Sequence, residues 1–193
     1  DAAIREVLGG ELKLPTNAHR NGGERRPRLV VQGLSLASDQ RFGTDLKDIG
    51  LSVAAGEILG IGGIAGNGQN ELMAALTGEV LCQRPDIITI DGAPVGRSGP
   101  AARMSAGACF VPEQRDGHAA VRDLTLSENA LLRAYRRKAL VEWGVVRAGR
   151  TAAFAGEVIR EFDVRTTGPR AQARSLSGGN LQKFVVGREI LQQ

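Results

Sequence analysis

The chain has 193 residues, 42% of them apolar, 24% charged and only 4% aromatic, which fits a single globular domain with an aliphatic core. The net charge of +4 comes from arginines interleaved with acids, and the stacking aromatics of a single-strand binder are absent, so nucleic acid is not an expected partner. No run of about 20 apolar residues is present to cross a bilayer, and Cys82 and Cys109 lie too far apart for a short metal or redox motif.

Residues 1–12 predict a short helix. KLPTNAHRNGGERRPR (13–28) predicts a linker whose dense basic end suits anionic lipid headgroups. Asp1 in place of Met fits a chain cut from a longer one. RLVVQGLSL (28–36) and LKDIGLSV (46–53) predict strands, joined through SDQRFGTD (38–45), and AAGE turns into a third strand, ILGIGG. NELMAALTG (70–78) places Leu72, Ala75 and Leu76 on one helical face and stops at Gly78. DIITIDGAPV (86–95) predicts a strand with an Asp91-Gly92 turn, GPAARMSAG (99–107) a short helix, and ACFVP (108–112) a short buried strand.

From there the pattern is helical. Thr125 and Glu128 form a capping box before LSENALLRAYRR. In TAAFAGEVIREF (151–162), Phe154, Val158 and Phe162 recur every fourth residue, and DVRTTG follows as a brief extended piece. SLSGGN (175–180) then opens the helix LQKFVVGREIL. The order is that of an α/β fold with an inserted helical block.

Between the predicted third strand and its helix, Gly63 and Gly68 stand at the separation of the phosphate-binding pattern G-x-x-x-x-G-K-[ST]. Gly63, Gly66 and Gly68, with Asn67 between them, let backbone N–H groups wrap an anion at a helix start. The pattern's lysine is replaced by Gln69 and its hydroxyl by Asn70, whose amide oxygen is a poor substitute on Mg²⁺. A lysine ammonium near a phosphate oxygen is worth about 4 kcal/mol at an effective dielectric near 20, so this loop binds phosphate weakly at best. Taken alone, the stretch fits a tight strand-to-helix turn equally well. Gly60-x-Gly62-x-x-Ala65 also matches a dinucleotide fingerprint, but no strand leads to an acidic residue at the ribose position: Glu79 follows a helix terminator.

A second glycine turn, Leu176-Ser177-Gly178-Gly179-Asn180 followed by Leu181, Gln182 and Lys183, lies 113 residues after Gly63 (176 − 63). Two anion-type turns in this order, with helices between, resemble the ATPase subunits of ATP-binding cassette (ABC) transporters, whose signature LSGGQ opens a helix. The finer resemblance is to the second cassette of double-cassette importers of simple sugars and nucleosides. It rests on the LSGGN-x-QK signature, the loop ending Gly66-Asn67-Gly68-Gln69, the V-P-E-x-R segment at Val111 to Arg115, and LTLSENALL (124–132).

The resemblance implies a P-loop NTPase of ABC type, a mixed sheet with an antiparallel β subdomain and an inserted helical subdomain at about 114–178. Residues 28–193 would be a partial nucleotide-binding domain and 1–27 the tail of a preceding cassette plus linker. It further implies ATP and Mg²⁺ as ligands, with Gly63, Gly66, Asn67, Gly68, Gln69 and Asn70 forming this cassette's own loop. Ser177, Gly178 and Gly179 would act in trans on ATP held by the partner cassette. Glu113 and Arg115 would lie where the nucleotide site is coupled to transmembrane permease subunits, or Glu113 is a solvated loop carboxylate. Phe42 is a base-stacking candidate or a core residue. A solute-binding protein is an indirect partner, and the location implied is the cytoplasmic face of the membrane.

The resemblance also implies a catalytic carboxylate and a switch histidine after the signature helix, but the sequence stops at Gln193, before both, so no catalytic residue is assigned. No metal site is assigned, His19 and His118 included. A chain lacking the central strand is expected to expose apolar edges, with marginal stability, rearrangement or oligomerisation. Two other classes compete: a non-hydrolytic nucleotide-binding or dimerisation module, and a nicotinamide-dependent oxidoreductase, which leaves SLSGGN unexplained.

Overall fold

A computed structural model describes residues 26–38, 43–112, 119–135 and 138–192. The expected helix in 1–12, the linker up to residue 25, Phe42, Glu113, Arg115, His19 and His118 lie outside the described residues.

The described chain builds two hydrophobic cores. The first begins with β1 (Pro27–Leu36) and β2 (Leu46–Ala54), which pair antiparallel, and continues with β3 (Ile88–Ile90) and β4 (Ala93–Pro94) in the order β2-β1-β3-β4. Val31 and Leu34 are three residues apart, yet both are buried. The register shifts between them, and Gly33 takes φ +62°, so a bulge returns Leu34 to the inner face. The Asp91-Gly92 turn between β3 and β4 has φ +51° and +80°, the positive pair that a two-residue hairpin loop requires.

Helix α1 (Gln69–Thr77) lays Leu72 and Ala75 against Val31, Leu34, Ile87 and Ile88, with Leu76 packed at the margin, as its apolar spacing predicts. Gly78 ends it in the left-handed region. Its last turn is then held by a buried arginine. Arg103 of α2 (Pro100–Ser105) donates to the carbonyls of Ala75, Leu76 (2.9 Å), Gly96 (3.1 Å) and Ser98 (2.8 Å). A cation at a helix C-terminus opposes the helix dipole favourably while satisfying carbonyls with no partner inside the helix. Burial pushes the Arg103 pKa down, partly offset by the Cys82 thiol beside it.

The second core is helical. It joins α3 (Leu126–Ala134), α4 (Ala148–Glu161) and α5 (Gly178–Leu191). Leu126, Ala130 and Ala134 on α3 meet Phe154, Ala155 and Val158 on α4 and Leu181, Phe184 and Val185 on α5. The capping box forms as expected: the Glu128 N–H donates to Thr125 Oγ1 (3.2 Å), and the Thr125 N–H donates to Glu128 Oε2 (2.7 Å). Between α3 and α4 the purely helical expectation fails. A hairpin, β5 (Val141–Glu142) and β6 (Val145–Val146), turns at Trp143-Gly144 with both φ values positive.

Two predicted strands are also corrected. ILGIGG and ACFVP have no ladder partner among the described residues and run as irregular chain. Their apolar content suits interior parallel strands, and a strand exists only when a neighbour takes up its N–H and C=O groups. Ile58, Leu59, Ile61 and Ile64 are consequently exposed, the first at 97%.

Candidate functional site

The glycine loop runs from the irregular segment into α1. Gly68 is the N-cap, buried, at φ +95°. An added Cβ would lie 3.1 Å from the Leu46 side chain, so glycine is demanded by both backbone and packing. Two residues fasten the loop to the β1–β2 connection. Thr44 Oγ1 donates to the Gly66 carbonyl (2.7 Å), and the Thr44 N–H donates to Glu71 Oε1 (3.1 Å). Neither Thr44 nor Glu71 was singled out by the sequence. The available signal was Glu71 at the third helical position, where an acid reaches back past the helix start.

Inside the loop, Gln69 turns back on its own backbone. Its Nε2 donates to the Ile64 carbonyl (3.0 Å), and its Oε1 accepts from the Asn67 N–H (3.1 Å). Asn67 Nδ2 donates to the same Ile64 carbonyl (3.1 Å). Gly63 lies beneath this side chain: an added Cβ there would come 2.4 Å from Gln69 Nε2, so the carboxamide would have to shift. Asn70 is exposed. Gln69 and Asn70 also border a cavity of about 530 Å³, shared with Met73, Phe110, Arg133 and Arg188. The two arginines are already engaged. Arg133 makes a bidentate pair with Glu189 (2.8 and 3.1 Å), and Arg188 donates to Glu189 and to the Asn129 and Ala119 carbonyls.

The second turn stands at the start of α5. Ser177 is the N-cap and its Oγ accepts from Asn180 Nδ2 (3.0 Å) and, at longer range, from the Asn180 N–H. Asn180 Oδ1 accepts from the Arg165 N–H (2.9 Å), locking the turn to the end of α4. Ser177, Gly178 and Gly179 are exposed, while Leu176 packs against the helical core. A Cβ on Gly179 would meet nothing within 4 Å, so the fold itself does not require glycine there. The open turn leaves the hydroxyl proton of Ser177 and the first amides of α5 free to face an outside group. No residue from 176 to 180 lines the cavity beside Gln69.

A sequence profile described as ABC transporter matches residues 46–193. The chain belongs to the ABC transporter family. The cassette is 39% identical over 164 residues to a guanosine import ATP-binding protein of Bacillus subtilis, covering 84% of this chain and 31% of that protein. It is 35% identical over 162 residues to a nucleoside import ATP-binding protein of Lactococcus lactis, covering 84% and 32%. A ribose import ATP-binding protein of a Chelativorans species shares 35% over 190 residues, covering 98% and 37%. The chain thus spans about a third of the length of these relatives. Its fold is that of a solved dimeric bacterial ABC transporter cassette, MJ0796, with a TM-score of 0.66 at 16% identity, covering 85% of this chain and 69% of that one. The ABC cassette fold expected from the two glycine turns is therefore present.

Proposed function

We propose that this cassette is an energy-coupling part of an ABC importer for a simple sugar or nucleoside, one whose own phosphate loop is degenerate and whose signature turn serves ATP bound elsewhere. The observation that carries the reading is the contrast between the two turns. In the loop at 63–70 the Gln69 side chain bonds the loop's own backbone at Asn67 and Ile64, whereas Ser177 to Gly179 is exposed at a capped helix start. The names of the relatives, importers of guanosine, nucleosides and ribose, support the solute class.

The residues at this loop do not fit a tight ATP–Mg²⁺ complex. Gln69 supplies no charge to a phosphate, and Asn70 supplies no hydroxyl to Mg²⁺. ATP and Mg²⁺ are accordingly assigned to a partner cassette, with Ser177, Gly178 and Gly179 completing the composite site. Permease subunits, reached through Glu113 and Arg115, and a solute-binding protein complete the assembly, at the cytoplasmic face of the membrane. The helical block at about 114–178, which carries α3 and α4, is read as the inserted subdomain.

The test is Ser177→Arg in the full-length protein with its membrane partners. Because Ser177 is exposed, the fold should survive at the cost of a helix cap, about 1 kcal/mol. Loss of a phosphate donor should lower transport-coupled ATP hydrolysis by about a hundredfold. Unchanged hydrolysis in that variant would sink the trans reading.

A further inference from the structure

We infer that Gln69 is an internal occupant of the phosphate loop rather than a weakened ligand for nucleotide: its carboxamide stands where a phosphate would dock, so the loop is closed by its own side chain. The inference rests on reading residues 63–70 as a phosphate loop, and it reverses the role expected of Gln69 there.

The chemistry is specific to a carboxamide. A phosphate loop presents N–H donors to an anion, and an empty loop leaves them unpaired at a helix start. Gln69 Oε1 takes the Asn67 N–H, one of those donors, at 3.1 Å. Its Nε2 simultaneously occupies the Ile64 carbonyl at 3.0 Å, which Asn67 Nδ2 also reaches at 3.1 Å. A lysine at this position could donate to the carbonyl but has nothing with which to accept from the amide. A glutamate could accept but not donate. Glutamine alone among these does both, pairing the Asn67 amide and the Ile64 carbonyl at once.

The sterics agree with this arrangement. An ideal Cβ on Gly63 would lie 2.4 Å from Gln69 Nε2 and 3.4 Å from its Cδ, so the side chain passes directly over that glycine. Gln69 is half-buried while every loop residue from 63 to 67 is exposed, so the side chain lies down on the loop. Thr44 and Glu71 hold the loop's other edge, which limits the room for the backbone to open around an incoming anion. An anion that docks on the Asn67 amide must displace the carboxamide and break the two hydrogen bonds it makes.

The sign of a truncation distinguishes occupant from ligand. If Gln69 were a ligand, Gln69→Ala would weaken anion binding. If it is the occupant, removing it frees the Asn67 amide, and an affinity gain of about tenfold is expected from two ordinary hydrogen bonds no longer competing. The experiment titrates the native chain, Gln69→Ala, Gln69→Glu and Gln69→Lys with inorganic triphosphate in the absence of Mg²⁺. Binding is read by calorimetry and by the ¹⁵N–¹H shift of Asn67, and the amide spectrum reports that each variant is folded. The expected result is tighter binding by Gln69→Ala than by the native chain, no binding by Gln69→Glu, whose carboxylate fills the loop as an anion, and binding by Gln69→Lys. Equal or weaker binding by Gln69→Ala, with Gln69→Lys binding, would overturn the occupant role and leave the phosphate-loop reading intact. Failure of both folded variants to bind would overturn the two together.

Discussion

Gly187 of α5 lies against the ring of Phe162, with an ideal Cβ placed only 2.5 Å from its Cδ2 atom. Two effects compete for Gly187→Ala. Helix propensity favours alanine by about 1 kcal/mol, whereas forcing a methyl into a closed ring contact costs about 1–3 kcal/mol. The contact should win, and a urea melt should show net destabilisation of up to about 2 kcal/mol. Gly179→Ala is the contrast, since a Cβ there meets open space and α5 should be unchanged or slightly firmer.

Arg188 and Glu189 are both almost fully buried, and Arg133 reaches in from α3 to close the group. Burial pushes the Arg188 pKa down to about 10, with the Glu189 carboxylate opposing that shift. Glu189→Gln should cost about 3–5 kcal/mol, because it leaves a guanidinium inside the helical core without its counter-charge. A paired replacement, Arg188→Met with Glu189→Met, should recover much of that loss in the same thermal melt.

The Glu128 pKa is held below the ordinary glutamate value of 4.5, first by the Thr125 backbone N–H and then by the Thr125 hydroxyl. Asp163 is held low by Lys183, which donates to its carboxylate at 3.1 Å. A depressed folded-state pKa contributes stability above the unfolded value and loses it as pH falls through the folded one. Stability should therefore drop as pH falls from about 4.5 through the lower folded-state value, and Glu128→Gln should flatten part of that slope. Thr125→Ala should remove about 1 kcal/mol at neutral pH, measured by denaturant titration.

Ile58, Leu59, Ile61 and Ile64 form an exposed aliphatic run ahead of the glycine loop. Such a patch favours self-association. Light scattering should show mass rising with protein concentration, and Ile58→Lys with Ile64→Lys should reduce it. A concentration-independent monomer in the native chain would contradict this prediction.

Much of the fold was legible because its signals are local. The Thr125–Glu128 box, the Asp91-Gly92 turn, the Gly78 stop and the Ser177 cap each depend on residues within about four positions, where backbone hydrogen bonding and allowed φ settle the outcome. The same locality made both glycine turns readable, and the amphipathic faces of α1 and α4 followed from a 3.6-residue period. The hairpin at Trp143-Gly144 was missed because two-residue strands carry too short a pattern to read.

Pairings between distant residues were decided only by the tertiary structure. Apolar content marked residues 58–63 and 108–112 as strands, but a ladder needs a neighbour, and no local rule says whether one arrives. The bonds from Arg103 to the Ala75 and Leu76 carbonyls, from Arg133 to Glu189 and from Arg188 to the Asn129 carbonyl likewise join residues far apart in the chain. The sequence showed that the loop had lost its lysine. That the replacing glutamine lies down on the loop, one hydrogen bond to Asn67 and one to Ile64, depended on backbone geometry that only the folded chain sets.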